Sequence, residues 1–277
     1  DAYQKACELQ QESGSTFIHP FNDEDVIAGQ GSIGLELLDQ LPELDAVIVP
    51  IGGGGLIGGV AFAIKSLRPE CKVYGVQAVG APSMYNSVRH HHVETLDYVS
   101  TIADGIAVKQ PGDLTYDLCE KYVDEIVTVT DDEISTAILM LIEQQKLIAE
   151  GAGAVAVAAA LFNKVDVKGK KVACLVSGGN IDVTILSRVI SRGLLKTGRS
   201  ADITIELVDK PGQLSDVSRI IAETGGNVVA VHHDRSGENT NLHLVMETRD
   251  HAHILEIENA LTNQGYKIIG RERRCIC

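Results

Sequence analysis

The chain has 277 residues, 44% of them hydrophobic, and a formal net charge of −14. That length allows one large domain or a large domain with a smaller companion. The acidic balance argues against nucleic acid or an anionic membrane as a partner, and no run of about 18 apolar residues is present to cross a membrane.

Residues 2–13 read as an amphipathic helix that opens without a methionine or the pattern of a signal peptide. Thr16-Phe-Ile-His-Pro20 reads as a short strand ended by proline, and Phe21–Ala28 as a turn with a capped helix start. Gly29-Gln-Gly-Ser-Ile-Gly34 carries that helix onward, and its three glycines predict close backbone packing. Ala46–Ile51 is an apolar strand that runs into four consecutive glycines, Gly52, Gly53, Gly54 and Gly55, and then into a helix beginning at Leu56. Four glycines lose much backbone freedom on folding and give the core no side chain, so packing is not expected to account for them. They offer bare N–H groups and positive φ at a helix N-terminus, where amides and the helix dipole can hold a phosphate. Lys72–Gln77 completes a β-α-β unit, hence parallel strands.

Gly80–Gly112 reads as a long irregular stretch containing His90-His91-His92, which suits a solvated loop better than a metal site. Asp113–Lys121 predicts a helix and Glu125–Thr130 a strand; Asp131-Asp132-Glu133 then supplies acids to the first turn of a helix reaching about Lys146. Glu150-Gly-Ala-Gly-Ala154 opens a small-residue helix to Phe162. Lys171–Val176 reads as a buried strand ending in Ser177-Gly178-Gly-Asn180, with a helix around 184–192 beyond it. The six cysteines are scattered: Cys71 and Cys174 read as buried small hydrophobes, and Cys275-Ile-Cys277 lacks the second pair that a zinc site needs. This usage fits a reducing, cytoplasmic compartment.

A short basic stretch, 193–200, reads as a linker. Residues 201–277 then give strand, helix, strand, strand, helix, strand, the βαββαβ order of a ferredoxin-like sandwich. Gly225-Gly226-Asn227 ends its first helix as a left-handed cap.

Three owners compete for the glycine loop. A mononucleotide loop needs Gly-Lys-Ser/Thr, but Gly55 is followed by Leu56-Ile57, and that reading fails. Gly53-x-Gly55-x-x-Gly58 fits the dinucleotide fingerprint, yet the next strand ends without the acid that would hold a ribose hydroxyl. An NAD-binding enzyme therefore stands second.

The third owner rests on a resemblance. Ala28-Gly-Gln-Gly-Ser-Ile-Gly-Leu-Glu36, Gly52–Leu56, Ile102-Ala-Asp-Gly-Ile-Ala107, Glu150–Ala154 and Ser177–Asn180, in this order, resemble the threonine dehydratases. That resemblance covers residues 1–192. It implies an α/β domain of the tryptophan-synthase-β-like fold, fold type II of the pyridoxal phosphate enzymes, present only in its C-terminal part. It implies that Gly52, Gly53, Gly54, Gly55 and Leu56 hold the phosphate of pyridoxal 5'-phosphate, that Gly105 lines the ring, and that Glu150, Ser177 and Gly178 border it. By themselves Ser177 is also a turn serine and Glu150 also a helix N-terminal acid. A neutral hydroxyl at the pyridine nitrogen makes the ring a modest electron sink, which suits β-elimination over transamination.

The family's Schiff-base lysine motif, Ser-Phe-Lys-x-Arg-Gly, does not occur in the chain. Nor does the substrate-carboxylate loop that follows it. The chain therefore reads as part of a longer protein and as inactive alone. Gln77-Ala-Val-Gly-Ala-Pro-Ser83 stands where serine-racemising relatives bind a divalent ion, and it carries no charge. No divalent metal is expected there, while a monovalent ion on carbonyls stays open. The implied activity is a lyase reaction: L-threonine, or L-serine, loses its β-hydroxyl and gives 2-oxobutanoate, or pyruvate, and ammonia. Isoleucine biosynthesis and threonine catabolism both use such a step.

Ile203–Leu214 resembles the start of an ACT domain, an amino-acid-sensing module. Pro211, Gly212, Gln213, Leu214 and Asn227 are then the residues to meet an amino-acid effector, although a plain turn and a cap explain them equally. An uncovered sheet face or edge predicts a homo-oligomer, a dimer or tetramer. A binding module without chemistry is the alternative reading from another class.

Overall fold

The apolar run Ala46–Pro50 forms strand β1, buried along its whole length. The computed structural model that shows this describes residues 2–236 and 239–271. Cys275 and Cys277, the two-thiol tail of the sequence, lie outside the described residues. The chain divides into two units, Asp1–Ile181 and Asp182–Cys277.

In chain order the first unit holds α1 (Ala2–Ser13), α2 (Glu24–Gln40), β1, α3 (Gly55–Leu67), β2 (Lys72–Ala78) and α4 (Ser83–His90). A single 3-10 turn follows at Asp104–Ile106. Then come α5 (Asp113–Tyr122), β3 (Glu125–Val129), α6 (Asp131–Met140), α7 (Gly151–Leu161) and β4 (Val172–Cys174). The strands make one parallel sheet in the order β3-β2-β1-β4. Val47, Val49, Ile57, Ile64, Val73 and Met84 form the core between this sheet and its helices.

Caps set the helix starts. Asp23 accepts the Asp25 and Val26 amides at the head of α2, and Thr130 and Glu133 form a reciprocal capping box at the head of α6. Helices α2 and α3 cross at glycines. A β-carbon on Gly34 would lie 3.0 Å from Ala63 Cβ, and one on Gly31 3.3 Å from the Gly59 carbonyl oxygen, whereas one on Gly29 would meet nothing within 4 Å. The close packing expected of three glycines therefore holds for two.

Several expectations differ from the structure. Thr16–Pro20 is not a strand: its aromatic side chains pack edge-to-face among themselves, Phe17 on Tyr3 and His19, and His19 on Phe21. The stretch 80–112 is not irregular throughout, because α4 lies within it. Strand β4 is an edge strand and half-buried, so Cys174 is half-buried, while Cys71 and Cys119 are buried. Burial pushes the Cys119 thiol up to about 12 and that of Cys174 to about 11. The three histidines are surface residues paired with acids, His90 to Glu94 at 2.6 Å and His91 to Glu120 at 3.0 Å. Among the described residues, no group of three or more His, Cys, Asp or Glu could hold a metal ion, and no helix is long and apolar enough to cross a membrane.

One ion cluster ties the sheet's base together. Asp124 meets Lys65 at 2.6 Å and Lys72 at 2.8 Å, and accepts the Val73 amide at 2.8 Å. Burial pushes its carboxyl up, but the lysines and the amide outweigh that and hold it below its ordinary 3.8. A carboxyl lowered by folding stabilises above its unfolded pKa, and that gain fades as pH falls through the folded value. Asp124→Asn is expected to cost about 1–3 kcal/mol at neutral pH. In urea unfolding the gap to the unaltered protein should close only below 3.8.

The second unit holds α8 (Val183–Lys196), β5 (Ser200–Leu207), α9 (Gln213–Glu223), β6 (Asn227–Ser236), β7 (Asn239–Glu247), α10 (His251–Asn263) and β8 (Lys267–Arg271). Helix α8 runs through 193–196, ground that the sequence gives to a linker. The antiparallel sheet has the order β6-β7-β5-β8, with Ile203, Ile205, Val217, Ile221, Leu242 and Leu244 in the core. This is the βαββαβ sandwich, and Gly225 makes the expected left-handed cap with φ 89°.

Candidate cofactor site

Sheet order places the site. Strand β1 leads to β2 on one side, and β4 lies against its other side, so the chain's winding reverses between β1 and β4. Ligands of open parallel sheets sit beyond the strand C-termini at such a reversal. Gly52–Gly55 follows β1 and Ser177 follows β4, so both flank it.

The glycine loop is tight as well as bare. Gly54 has φ 99° and is the N-cap of α3, with no side-chain hydrogen bond closing the helix start. A β-carbon there would lie 2.6 Å from Met84 Cε and 2.7 Å from Thr115 Cβ. One on Gly53 would fall within the Phe21 ring. One on Gly55 would lie 2.9 Å from Phe21 Cα, and one on Gly52 3.3 Å from Ile106 Cα. Packing therefore does account for Gly53, Gly54 and Gly55, contrary to the sequence expectation. The open amides of the first turn of α3 are a separate property of the same loop.

A chain of contacts joins the loop to the other expected residues. The Gly52 β-carbon position is 3.5 Å from the Gly105 carbonyl oxygen, and that of Gly105 is 3.5 Å from Glu150 Oε1 and 3.1 Å from Ala152 Cβ. The Glu150 amide donates to the Gly178 carbonyl at 3.1 Å. A β-carbon on Gly178 would overlap the Glu150 carboxylate. Gly52, Gly105, Glu150 and Gly178 thus lie side by side, a candidate cofactor cleft beyond the strand ends. Leu56 is in the first turn of α3, and Ser177 is exposed at the end of β4 beside Gly178. Glu150 is the N-cap of α7 as Gly54 is of α3, so two helix N-termini, each a positive dipole end, belong to this group of residues.

Residues not singled out from sequence hold these parts. Asp131 accepts from Thr101 Oγ1 at 2.6 Å and from the Ile102 amide at 3.3 Å, fixing the loop before Gly105. His19 Nδ1 accepts the Phe21 and Asn22 amides, and Asn22 Oδ1 in turn accepts the Leu114 amide at 3.1 Å. Thr115 Oγ1 donates to the Gly53 carbonyl at 2.5 Å. Apart from the local bonds of His19, these contacts span 29 to 92 residues, a separation that no sequence pattern marks.

The donor set suits a phosphate ester. It offers backbone amides and a helix N-terminus, in a loop too tight for any side chain. The nearest neighbours of the four glycines, Phe21, Met84, Thr115, Gly105, Ile106 and Val108, carry no charge. Four lysines of this unit are engaged elsewhere: Lys65 with Asp124, Lys164 with Glu133, and Lys109 and Lys146 with the carbonyls of Asp97 and Glu143.

In the second unit, Gly212 has φ 95° and caps α9, with Pro211 before it and Gln213 and Leu214 in the first turn. Asn227 begins β6 and donates to Glu247 at 2.8 Å. It follows the far end of α9, so the two sets are about 16 Å apart along an eleven-residue helix. One copy of the unit does not bring them together.

Comparison with known proteins identifies the family. Residues 1–178 match the family "Pyridoxal-phosphate dependent enzyme" and 201–265 the ACT domain. The L-threonine ammonia-lyase of Thermotoga maritima is 52% identical over 97% of this chain and 68% of that protein. That of Geobacter sulfurreducens is 43% identical over the same shares. The structure of the processed form of threonine deaminase isoform 2 from Solanum lycopersicum superposes with a TM-score of 0.65 at 40% identity, over 68% of this chain and 55% of that one. The chain thus spans about two thirds of the two lyases and little more than half of the tomato protein. It belongs to the pyridoxal-phosphate-dependent enzymes, in the threonine ammonia-lyase family, with an ACT domain following the enzyme domain.

Proposed function

We propose that the cleft seats pyridoxal 5'-phosphate for β-elimination from L-threonine, giving 2-oxobutanoate and ammonia, under control of an amino acid sensed by the ACT domain. The observation that carries this reading is the meeting of Gly52, Gly105, Glu150 and Gly178 beyond the ends of β1 and β4. When bound, the cofactor supplies an electron sink for the pair left by the α-proton. This chain's part is to hold and orient. The amides of Gly52–Leu56 would hold the phosphate through N–H groups, without a cation from this chain. Ser177 offers a neutral hydroxyl to the ring nitrogen, and Gly105 and Gly178 let the backbone approach the ring. Glu150 sets a carboxylate at its edge.

The Schiff-base lysine is supplied from outside this chain, which alone turns over no substrate. L-serine is a second substrate of the same site. Pro211–Leu214 of one ACT domain and Asn227 of another enclose the effector in a cytoplasmic homo-oligomer, since one copy keeps them apart. The test compares this chain with the protein extended by its lysine-bearing segment, each supplied with the cofactor and L-threonine. The longer protein should release 2-oxobutanoate and ammonia in equal amounts, and the chain alone neither. Failure of the longer protein on both amino acids, or tight NADH binding by the chain, overturns the reading.

A further inference from the structure

Both carbonyls that flank Gly52 and Gly53 are held from behind by fully buried polar side chains. Thr115, 0% exposed, donates its hydroxyl to the Gly53 carbonyl at 2.5 Å, with the Gly112 carbonyl 3.0 Å away. Gln77, also 0% exposed, donates Nε2 to the Ile51 carbonyl at 3.3 Å. Its orientation is fixed because Oε1 accepts the Tyr85 amide at 2.8 Å. In a trans peptide the carbonyl and the following N–H point in opposite directions, and there is no cis peptide among the described residues. Pulling the Ile51 and Gly53 carbonyls back therefore turns the Gly52 and Gly54 N–H groups forward. Four adjacent glycines could otherwise rotate these peptides freely.

We propose that Thr115 and Gln77 are positioning residues that aim the Gly52 and Gly54 amides at the cofactor phosphate. This rests on the reading of the loop as a phosphate seat, and it adds that the loop's donors are oriented from the rear by two side chains that touch no cofactor. Pre-orientation strengthens binding because no ordering is left to be done when the anion arrives. The bonds serve the phosphate alone, so they govern affinity for pyridoxal 5'-phosphate and leave affinity for pyridoxal unchanged.

The test is calorimetric titration of the chain with both compounds, for the unaltered protein, Thr115→Val, Thr115→Ser and Gln77→Met. Valine keeps the shape of threonine and removes its donor, while serine keeps the donor. The dissociation constant for pyridoxal 5'-phosphate should rise about tenfold in Thr115→Val and Gln77→Met. It should stay within about threefold of the unaltered value in Thr115→Ser, and pyridoxal should bind all four alike. A merely structural role would weaken both compounds equally, or leave Thr115→Ser as impaired as Thr115→Val, and either result overturns the proposal. If the unaltered chain discriminates between the compounds and the variants match it, the positioning role fails and the phosphate seat stands. If the unaltered chain does not discriminate, the seat itself fails.

Discussion

Gly54→Ala is expected to destabilise the first unit by about 2–5 kcal/mol. Two independent penalties act at this position. With φ at 99°, an alanine pays the left-handed backbone strain that glycine avoids, about 1–2 kcal/mol. Its β-carbon would also press on Met84 and Thr115 at 2.6 and 2.7 Å, an overpacking term of about 1–3 kcal/mol. Gly169→Ala isolates the first penalty, because Gly169 has φ 75° and nothing within 4 Å of a β-carbon. It should cost only about 1–2 kcal/mol. Urea unfolding of both variants separates strain from crowding. Because Gly54 opens α3 against Thr115, the same variant should bind pyridoxal 5'-phosphate less tightly, as Gly169→Ala should not.

The second large effect is expected at the crossing of α2 and α3. A β-carbon on Gly59 would overlap the Ile27 carbonyl oxygen and lie 2.7 Å from the Gly31 nitrogen. These are backbone atoms, so neither can rotate aside, and the helices must separate. Alanine gains up to about 1 kcal/mol of helix propensity over glycine, yet against an overpacking cost of about 1–3 kcal/mol a net loss of about 1–2 kcal/mol is expected. Gly29→Ala is the control of opposite sign. It is also mid-helix, but with open space at its β-carbon it should raise stability by about 0.5–1 kcal/mol. Thermal melts of the two variants should move in opposite directions. Movement of α3 would also shift the glycine loop at its head, which links this packing to the cofactor cleft.

Where the sequence carried a period or a cap, the structure follows it. The alternation of apolar strand and small-residue helix from Ala46 to Gln77 gave the parallel unit, and the acids Asp131-Asp132-Glu133 marked the head of α6. Helix α4 was hidden because its buried side chains include Ser83 and Ser87, which contribute no hydrophobic period. They are buried because Ser83 donates to the Val108 carbonyl and Ser87 to that of Ser83, each at 2.7 Å. Thr16–Pro20 has strand-like composition, but its rings found partners in one another rather than in the sheet. The glycine loop was legible as a donor site from its composition. What lies behind it was not, since Thr115 reaches Gly53 across 62 residues and Gln77 reaches Ile51 across 26. Packing against Phe21 was equally invisible, and it gives the glycines a second reason to be there.

On the proposed function, backbone amides of Gly52–Leu56 hold the cofactor's phosphate. Amide-resolved nuclear magnetic resonance of the isotopically labelled chain, titrated in parallel with pyridoxal 5'-phosphate and with pyridoxal, tests it most directly. The expected result is a shift of the Gly52, Gly54, Gly55 and Leu56 amide signals with the phosphate-bearing compound alone. Equal shifts with both compounds, or shifts confined to other parts of the chain, would contradict it.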